Sequence, residues 1–386
     1  MAQPPSDRAR AYFDHAATAA LLPQARQAWL QAVDLVGNPT GLHASARRVK
    51  AVLEDARESI AADLGAHPTE VVFTSSGSHG DSIAVLGGRA ARPDRSVVAI
   101  SAVEHPGVAT AGQALDDVRE LPVDRDARLD LDRAAALVDR DVALVSVQLV
   151  NGEVGTVQPI AEVVDLAHRH GALVHSDAVQ AMALPGVDFA ASGLDLASVA
   201  AHKIGGPVGI GALLVRRELT LPASGLGAGQ ERGIVSGTPS AALAAGFAAA
   251  LRETCRLGEE VGAQPLWQVR SRIVQAVAGI DRVRVNGPAD AGRHVPGIVH
   301  LTIDATRADD VLFLLDAAGI DASTGASCRA GMHQPSDVVL AMTGSLADAS
   351  SSIRLSFGWE TGADEVDRLL AVLPGVIERA RAASAT

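Results

Sequence analysis

An α/β protein is predicted, with a mainly parallel, doubly wound sheet in its larger part and a smaller C-terminal α/β unit, from three features of the 386-residue chain. Apolar runs of strand length recur between residues 70 and 215, helical patterns alternate with them, and a second round of the same alternation begins at residue 283. The runs are Val71–Phe73, Val97–Ile100, Val142–Val150, Ala172–His175, Leu196–Val199 and Gly211–Val215. Ahead of them, Trp29, Val33 and Val36 carry a helical pattern to the breaker Gly37-Asn38-Pro39, and an amphipathic helix is expected over 44 to 64. Alanine-rich helical sequence fills 239 to 280. Strands are then expected at Val283-Arg284-Val285, Ile298–Ile303 and Arg354-Leu355-Ser356, with a final helix near 364 to 383. This pattern implies a large domain, 12–260, and a small one built from 1–11 plus 261–386.

A hydrophobic content of 48% is enough for a large core. Lys plus Arg number 33 against 45 Asp plus Glu, and the net charge of -12 argues against a direct nucleic-acid surface. Two cysteines cannot form a disulfide framework, and the opening Met-Ala-Gln-Pro-Pro-Ser-Asp-Arg lacks the apolar stretch of a signal peptide, so a reducing cytoplasm is the expected compartment. Charge or glycine interrupts every apolar run before the roughly 18 residues a membrane helix needs, so no membrane association is expected.

The chemistry is concentrated where strands end. Ser176-Asp177-Ala178-Val179-Gln180 follows one apolar run and Ala201-His202-Lys203 follows the next. An Asp there can keep a pyridine nitrogen protonated and a Lys can form a Schiff base, the acid and amine that pyridoxal phosphate chemistry needs. Thr74-Ser75-Ser76-Gly77-Ser78-His79-Gly80-Asp81 links a strand to a helix. It reads either as a phosphate cradle, with Gly77 allowing close approach and Ser78 donating a hydroxyl, or as an ordinary helix cap using Ser78 or Asp81. His105, after the strand Val97–Ile100, can stack on an aromatic cofactor and exchange protons with a substrate, and His202 falls on the phosphate side of Lys203. Cys328 lies in the small-residue stretch Ser323–Met332, which reads as a loop carrying an accessible thiol, with Arg329 favouring the thiolate. Cys255, in a helical segment, reads as a buried structural residue. No metal site is expected.

With these motifs in order, the chain resembles the cysteine desulfurases of the NifS/IscS type, within the fold-type I, class V aminotransferase-like pyridoxal phosphate enzymes. The resemblance is carried by Phe13-Asp14-His15-Ala16-Ala17-Thr18, Gly37–His43, Glu104-His105, Glu153–Ile160, His175–Gln180, Ala201–Pro207, Gly229-Gln230-Glu231, Ser236–Pro239, Ser323–Cys328, Pro335-Ser336 and Arg354-Leu355-Ser356. It implies a seven-stranded, mainly parallel sheet and a homodimer. Lys203 would be the Schiff-base lysine, Asp177 would meet the pyridine nitrogen, Gln180 the phenolic oxygen, and His105 would stack on the ring. Gly77, Ser78 and His202 would hold the phosphate, Thr238 would reach the phosphate of the other subunit's cofactor, and Arg354 would grip the substrate carboxylate. Cys328 would take sulfur from L-cysteine as a persulfide, leaving alanine, and pass it to an acceptor such as a scaffold or thiolation protein. Other pyridoxal phosphate activities (a carbon-sulfur lyase, a selenocysteine lyase, an aminotransferase) and a non-catalytic sulfur-relay or scaffold subunit remain open.

Four departures from the family's pattern stand out. Asn151-Gly152-Glu153 replaces an asparagine pair before the glutamate, so either Asn151 leans toward the substrate in compensation, a water fills the gap, or substrate orientation weakens. Restoring asparagine at 152 is expected to improve turnover if substrate orientation limits it. His79 stands for an acid, Ala200 for a frequent phosphate-binding serine and Val235 for an arginine.

Overall fold

The computed structural model describes residues 10–181, 188–325 and 334–384. Strand β1 (Ala11–Tyr12) stands apart from the central sheet, which is built from β2 (Val71–Thr74), β3 (Val97–Ser101), β4 (Val118–Leu121), β5 (Val142–Ser146), β6 (Leu173–Asp177), β7 (Leu196–Ala200) and β8 (Gly211–Val215). Their order across the sheet is β2-β8-β7-β6-β5-β3-β4. Every pairing is parallel except the two made by β8, which runs against both β2 and β7. The carboxyl ends of β2, β3, β5, β6 and β7 therefore lie along one edge, and the strand order reverses between β3 and β5. Crevices that bind ligands form at such a place. Most of these strands are buried along their whole length, which is why they read as continuous apolar runs.

Two elements differ from the sequence expectation. Strand β4, Val-Arg-Glu-Leu, has only Leu121 buried, so its polar edge position hides it from an apolar-run criterion. The run Val142–Val150 stops being a strand at Ser146, although the amides of Val147 and Leu149 still reach the carbonyls of His175 and Asp177.

Helices α1 (Pro23–Val33), α2 (Ala44–Asp63), α3 (Gly77–Ala90) and α4 (Pro106–Gln113) are joined later by a helix at Ala241–Glu260, which packs on α1 and α2 through Ala241, Ala244, Phe247 and Leu251. That three-to-four-residue spacing is the apolar stripe of a surface helix. A hairpin, β9 (Gly229–Gln230) with β10 (Val235–Ser236), precedes it. After the helix Gln264–Ala278, β11 (Val283–Asn286), β12 (Ile298–Ile303) and β14 (Ser352–Ser356) form an antiparallel sheet, while β13 (Ile320–Asp321) pairs in parallel with β1. Ala11 and Phe13 share an apolar core with Leu266, Ile273, Val299, Leu355 and Leu369, separate from the cores around the central sheet. Among the described residues, no helix is long and apolar enough to cross a membrane.

Candidate active site

A cleft of about 510 Å³ opens at the carboxyl edge of the sheet. Helix α3 points its first turn into it. The cap is Ser76, whose Oγ accepts the His79 amide at 3.1 Å, so neither Ser78 nor Asp81 serves that purpose. Gly77 and Ser78 are thus left as the first helical residues, lining the cleft with the partial positive charge of the helix start. Gly211 lets β8 pass beneath this turn: a Cβ there would lie 2.6 Å from the Val199 carbonyl oxygen and 3.1 Å from the Gly77 nitrogen. His79 folds back with Nδ1 3.1 Å from Ser75 Oγ, giving the imidazole a part in fixing the loop. Ala200 ends β7 fully buried beside Gly77.

Charge is concentrated on the wall made by β3, β6, β7 and α3. Asp177 ends β6, buried, and accepts the Val179 amide on Oδ1 at 2.9 Å. Burial raises its pKa, opposed in part by His105 and Lys203. Asp81, inside α3, is pushed well above the carboxylate range by burial and then by Asp177, and Glu104 is raised by burial although the Gln148 amide donates to it at 2.7 Å. Ligand atoms of Asp81, His105 and Asp177 all lie within 4.8 Å of one another. His105 caps α4: its Nδ1 accepts the Gly107 amide at 3.0 Å, which places the proton of the neutral ring on Nε2. One side of this ring stays open to the cleft, and desolvation lowers its pKa. Beneath Asp177, His175 spans Ser146 Oγ (2.8 Å) and Ser198 Oγ (3.0 Å), tying β5 to β7 through β6, and burial drives its pKa to about 3.

Lys203 lies in the short helical turn Ala201–Ile204 after β7, where its Nζ donates to the carbonyls of Ala16 (2.7 Å) and Ala17 (3.0 Å). Burial, then the charge of Arg354, lowers its pKa to about 8. Burial, then Lys203, drives His202 to about 4, and its Nδ1 lies 3.0 Å from Thr18 Oγ1. Gln180 Nε2 donates to the same Ala16 carbonyl at 2.7 Å.

The facing wall comes from β14, the segment after β1 and the turn after β5. Arg354 donates through Nη1 to the Gly152 carbonyl (2.9 Å) and through Nη2 to Asp14 Oδ1 (2.8 Å), while its Nε is buried with no partner among the described residues. Asn151 does not make the compensating lean toward the substrate space considered from the sequence. Its oxygen accepts the amides of Glu153 and Val154, both at 2.9 Å, and its nitrogen donates to the Val103 carbonyl. A Cβ on Gly152 would meet Gln180 Cγ at 3.2 Å, so a side chain at 152 would require that glutamine to give by a few tenths of an ångström.

The remaining expected residues lie elsewhere. Thr238 is exposed beyond β10 and does not line this cleft. Val235 is partly buried against the apolar cluster that includes Ile234. Cys328 lies outside the described residues. Cys255 is half-buried against the main core rather than sealed within it. Sequence reasoning missed Asp81 as a member of the charged wall and Glu153 as a buried acid; the only signal for either was an ionisable residue inside a motif already ascribed to backbone geometry.

The cleft therefore offers a buried acid of raised pKa, a helix start for an anion, an amine of lowered basicity and the guanidinium of Arg354. A model of the aminotransferase class-V family matches residues 11–369. The chain belongs to that family. It is 44% identical to the IscS-like cysteine desulfurase of Mycobacterium tuberculosis, over 97% of this chain and 98% of that one. It is 33% identical to the cysteine desulfurase NifS of Azotobacter vinelandii, over 96% of this chain and 93% of that one. A solved NifS-like protein, 27% identical, superposes with a TM-score of 0.88 over 96% of this chain and 100% of its own. The architecture is fold-type I, as the sequence resemblance implied.

Proposed function

We propose that the chain is a pyridoxal-phosphate-dependent cysteine desulfurase, converting L-cysteine to L-alanine and carrying the sulfur as a persulfide on Cys328 for delivery to an acceptor protein. The observation that supports this most is the convergence of Asp177 and Lys203, at the ends of neighbouring strands, on one cleft with the start of α3 and Arg354. The residues fit the cofactor. Asp177 would face the ring nitrogen, whose proton is the counter-charge a buried carboxylate lacks. Gly77, Ser78 and His202 would hold the phosphate, Gln180 the phenolic oxygen, and the open side of His105 the ring. Thr238, exposed and outside this cleft, would serve the partner's phosphate in a homodimer. Bound there, pyridoxal phosphate supplies a ring that takes up the electron pair left when the substrate's α C–H bond breaks.

The chain's own groups do the rest. Arg354, which lines the cleft, would bind the substrate carboxylate through its guanidinium. Lys203 Nζ would move the α-proton, since an amine with a pKa of about 8 releases its proton near neutrality. His105 Nε2 is the nitrogen left to exchange a proton with substrate, Nδ1 being engaged by Gly107. The Cys328 thiolate attacks the substrate sulfur, an S–S bond forms, the C–S bond breaks and carbon gains a proton. Cysteine plus a thiol gives alanine plus a persulfide, with no outside oxidant. The working frame is two domains, 12–260 and 1–11 with 261–386, in a cytoplasmic setting that keeps thiols reduced.

Purified enzyme given L-cysteine should yield alanine and persulfide in equal amounts. Pyruvate with ammonia instead would overturn the reading in favour of a carbon-sulfur lyase.

A further inference from the structure

Glu153 is one of the acids lining the cleft that the chemistry above does not use. Its carboxyl is pushed up to about 7 by burial. Its main chain is fixed by Asn151, whose Oδ1 accepts the Glu153 amide, and its neighbour Gly152 receives Arg354 Nη1. The side chain then reaches two separate places in the small domain's sequence. Ser336 Oγ donates to Glu153 Oε2 at 2.5 Å. The same hydroxyl accepts the Val339 amide at 3.0 Å, capping the helix Asp337–Thr343. That helix is seated on the large domain through Val338 and Met342, which cluster with Val103 and Val154.

On the other side, the Gly325 backbone lies directly against Glu153. A Cβ at 325 would fall 2.9 Å from Glu153 Cγ and 3.3 Å from Cδ, and φ there is +84°, so this contact admits glycine alone. Gly325 is held in turn by Ser323: its amide donates to Ser323 Oγ at 3.0 Å, and Ser323 exchanges two main-chain hydrogen bonds with Arg354. One acid thus touches the chain at 325 and again at 336, on either side of the sequence that contains Cys328.

We propose that Glu153 is a positioning residue that fastens both flanks of the Cys328 sequence to the turn supporting Arg354, so that the thiol is delivered from a fixed base beside the bound substrate. This rests on the desulfurase reading, in which Cys328 is the sulfur acceptor. A tether of this kind acts chiefly on the sulfur-transfer step, because the roles assigned above give Glu153 no contact with cofactor or substrate, and its carboxyl meets the substrate site only by facing Arg354.

The experiment uses cofactor-loaded full-length enzyme and three readouts: kcat and KM for alanine formation, spectroscopic titration of the bound cofactor with L-cysteine, and the rate at which iodoacetamide alkylates Cys328. Glu153→Ala should lower kcat about tenfold and raise the alkylation rate several-fold, with the cysteine titration moved far less than kcat. Glu153→Gln, which can still accept from Ser336, should recover most of kcat. Gly325→Ala, whose Cβ would press on the Glu153 side chain from the other flank while leaving the carboxyl in place, should reproduce the kcat-specific loss. The proposal is overturned if Glu153→Ala keeps kcat within about twofold, or if the cysteine titration weakens as much as kcat falls. Cys328→Ala separates the two levels of the argument: full persulfide transfer by that variant would remove the desulfurase reading itself, whereas its inactivity beside a normal Glu153→Ala would remove only the tether.

Discussion

The two walls of the cleft satisfy their charges in opposite ways. On the wall built by β6, β7 and α3, Asp177, Asp81 and Glu104 are buried acids, all pushed upward in pKa, and Lys203 makes do with two backbone carbonyls. On the wall built by β14 and the turn after β5, Arg354 is paired with Asp14 and Gly152, and Glu153 with Ser336. The first wall is electrostatically unfinished and needs a cationic, aromatic guest; the second is closed on itself and accepts a substrate by adding to bonds already made. Losses on the first wall should therefore abolish chemistry, and losses on the second should tune affinity, timing and stability.

Replacing the amine is the harshest break. Lys203→Ala should reduce alanine release by about 10,000-fold or more, because no other group on that wall can carry the α-proton from the same position. A variant keeping roughly a tenth of parental turnover would refute the assignment of Lys203.

Arg354→Lys tests the closed wall. A point charge cannot hold Asp14, the Gly152 carbonyl and a carboxylate at once, so KM for cysteine should rise about 30-fold with a much smaller change in kcat. An equal fall in kcat at constant KM would move Arg354 out of substrate binding.

The seam between the walls is probed by Gly152→Asn. From the sequence this change is expected to improve turnover, but the structure opposes it: the new Cβ would lie 3.2 Å from Gln180 Cγ, so Gln180, which donates to the Ala16 carbonyl that also holds Lys203, has to give by a few tenths of an ångström. We expect kcat/KM to fall about threefold; a gain measured in the same assay would restore the orientation argument.

The smallest effect is on stability. Glu153 holds a proton in the folded state up to about pH 7, above the ordinary carboxyl value of 4.5, so the folded protein binds a proton the unfolded chain has lost and stability falls as pH rises through that window. The charged groups facing it are Arg354 and Asp337. Glu153→Gln removes this slope, and its thermal midpoint relative to the parent should climb by about 1–3 °C between about pH 5 and about pH 8. A constant difference across that range would show that the acid is already ionised in the folded protein.

Much of the sheet was legible because buried parallel strands have no polar face to confuse the pattern, as at Val97–Ser101 and Leu196–Ala200. The motifs at Asp177 and Lys203 were legible because strand ends carry chemistry in this architecture. What escaped was set by long-range pairing. The antiparallel entry of β8 depends on Gly211 slipping under the α3 turn, and one glycine among 37 carries no such message. Likewise, Asn151 resembles a substrate ligand in sequence, yet its amide is used on three backbone groups whose positions only folding defines.

Strand β1 has a consequence for biosynthesis. Residues 11 and 12 pair with 320 and 321, and residue 14 bridges to 356, yet the next few carbonyls, at 16 and 17, are the ones that seat Lys203. An early stretch is thus locked in place by stretches synthesised long after it. A nascent chain can assemble its central sheet early, but its lysine has no finished seat until residues 320 to 356 have emerged, so loading with vitamin-derived cargo has to wait for them.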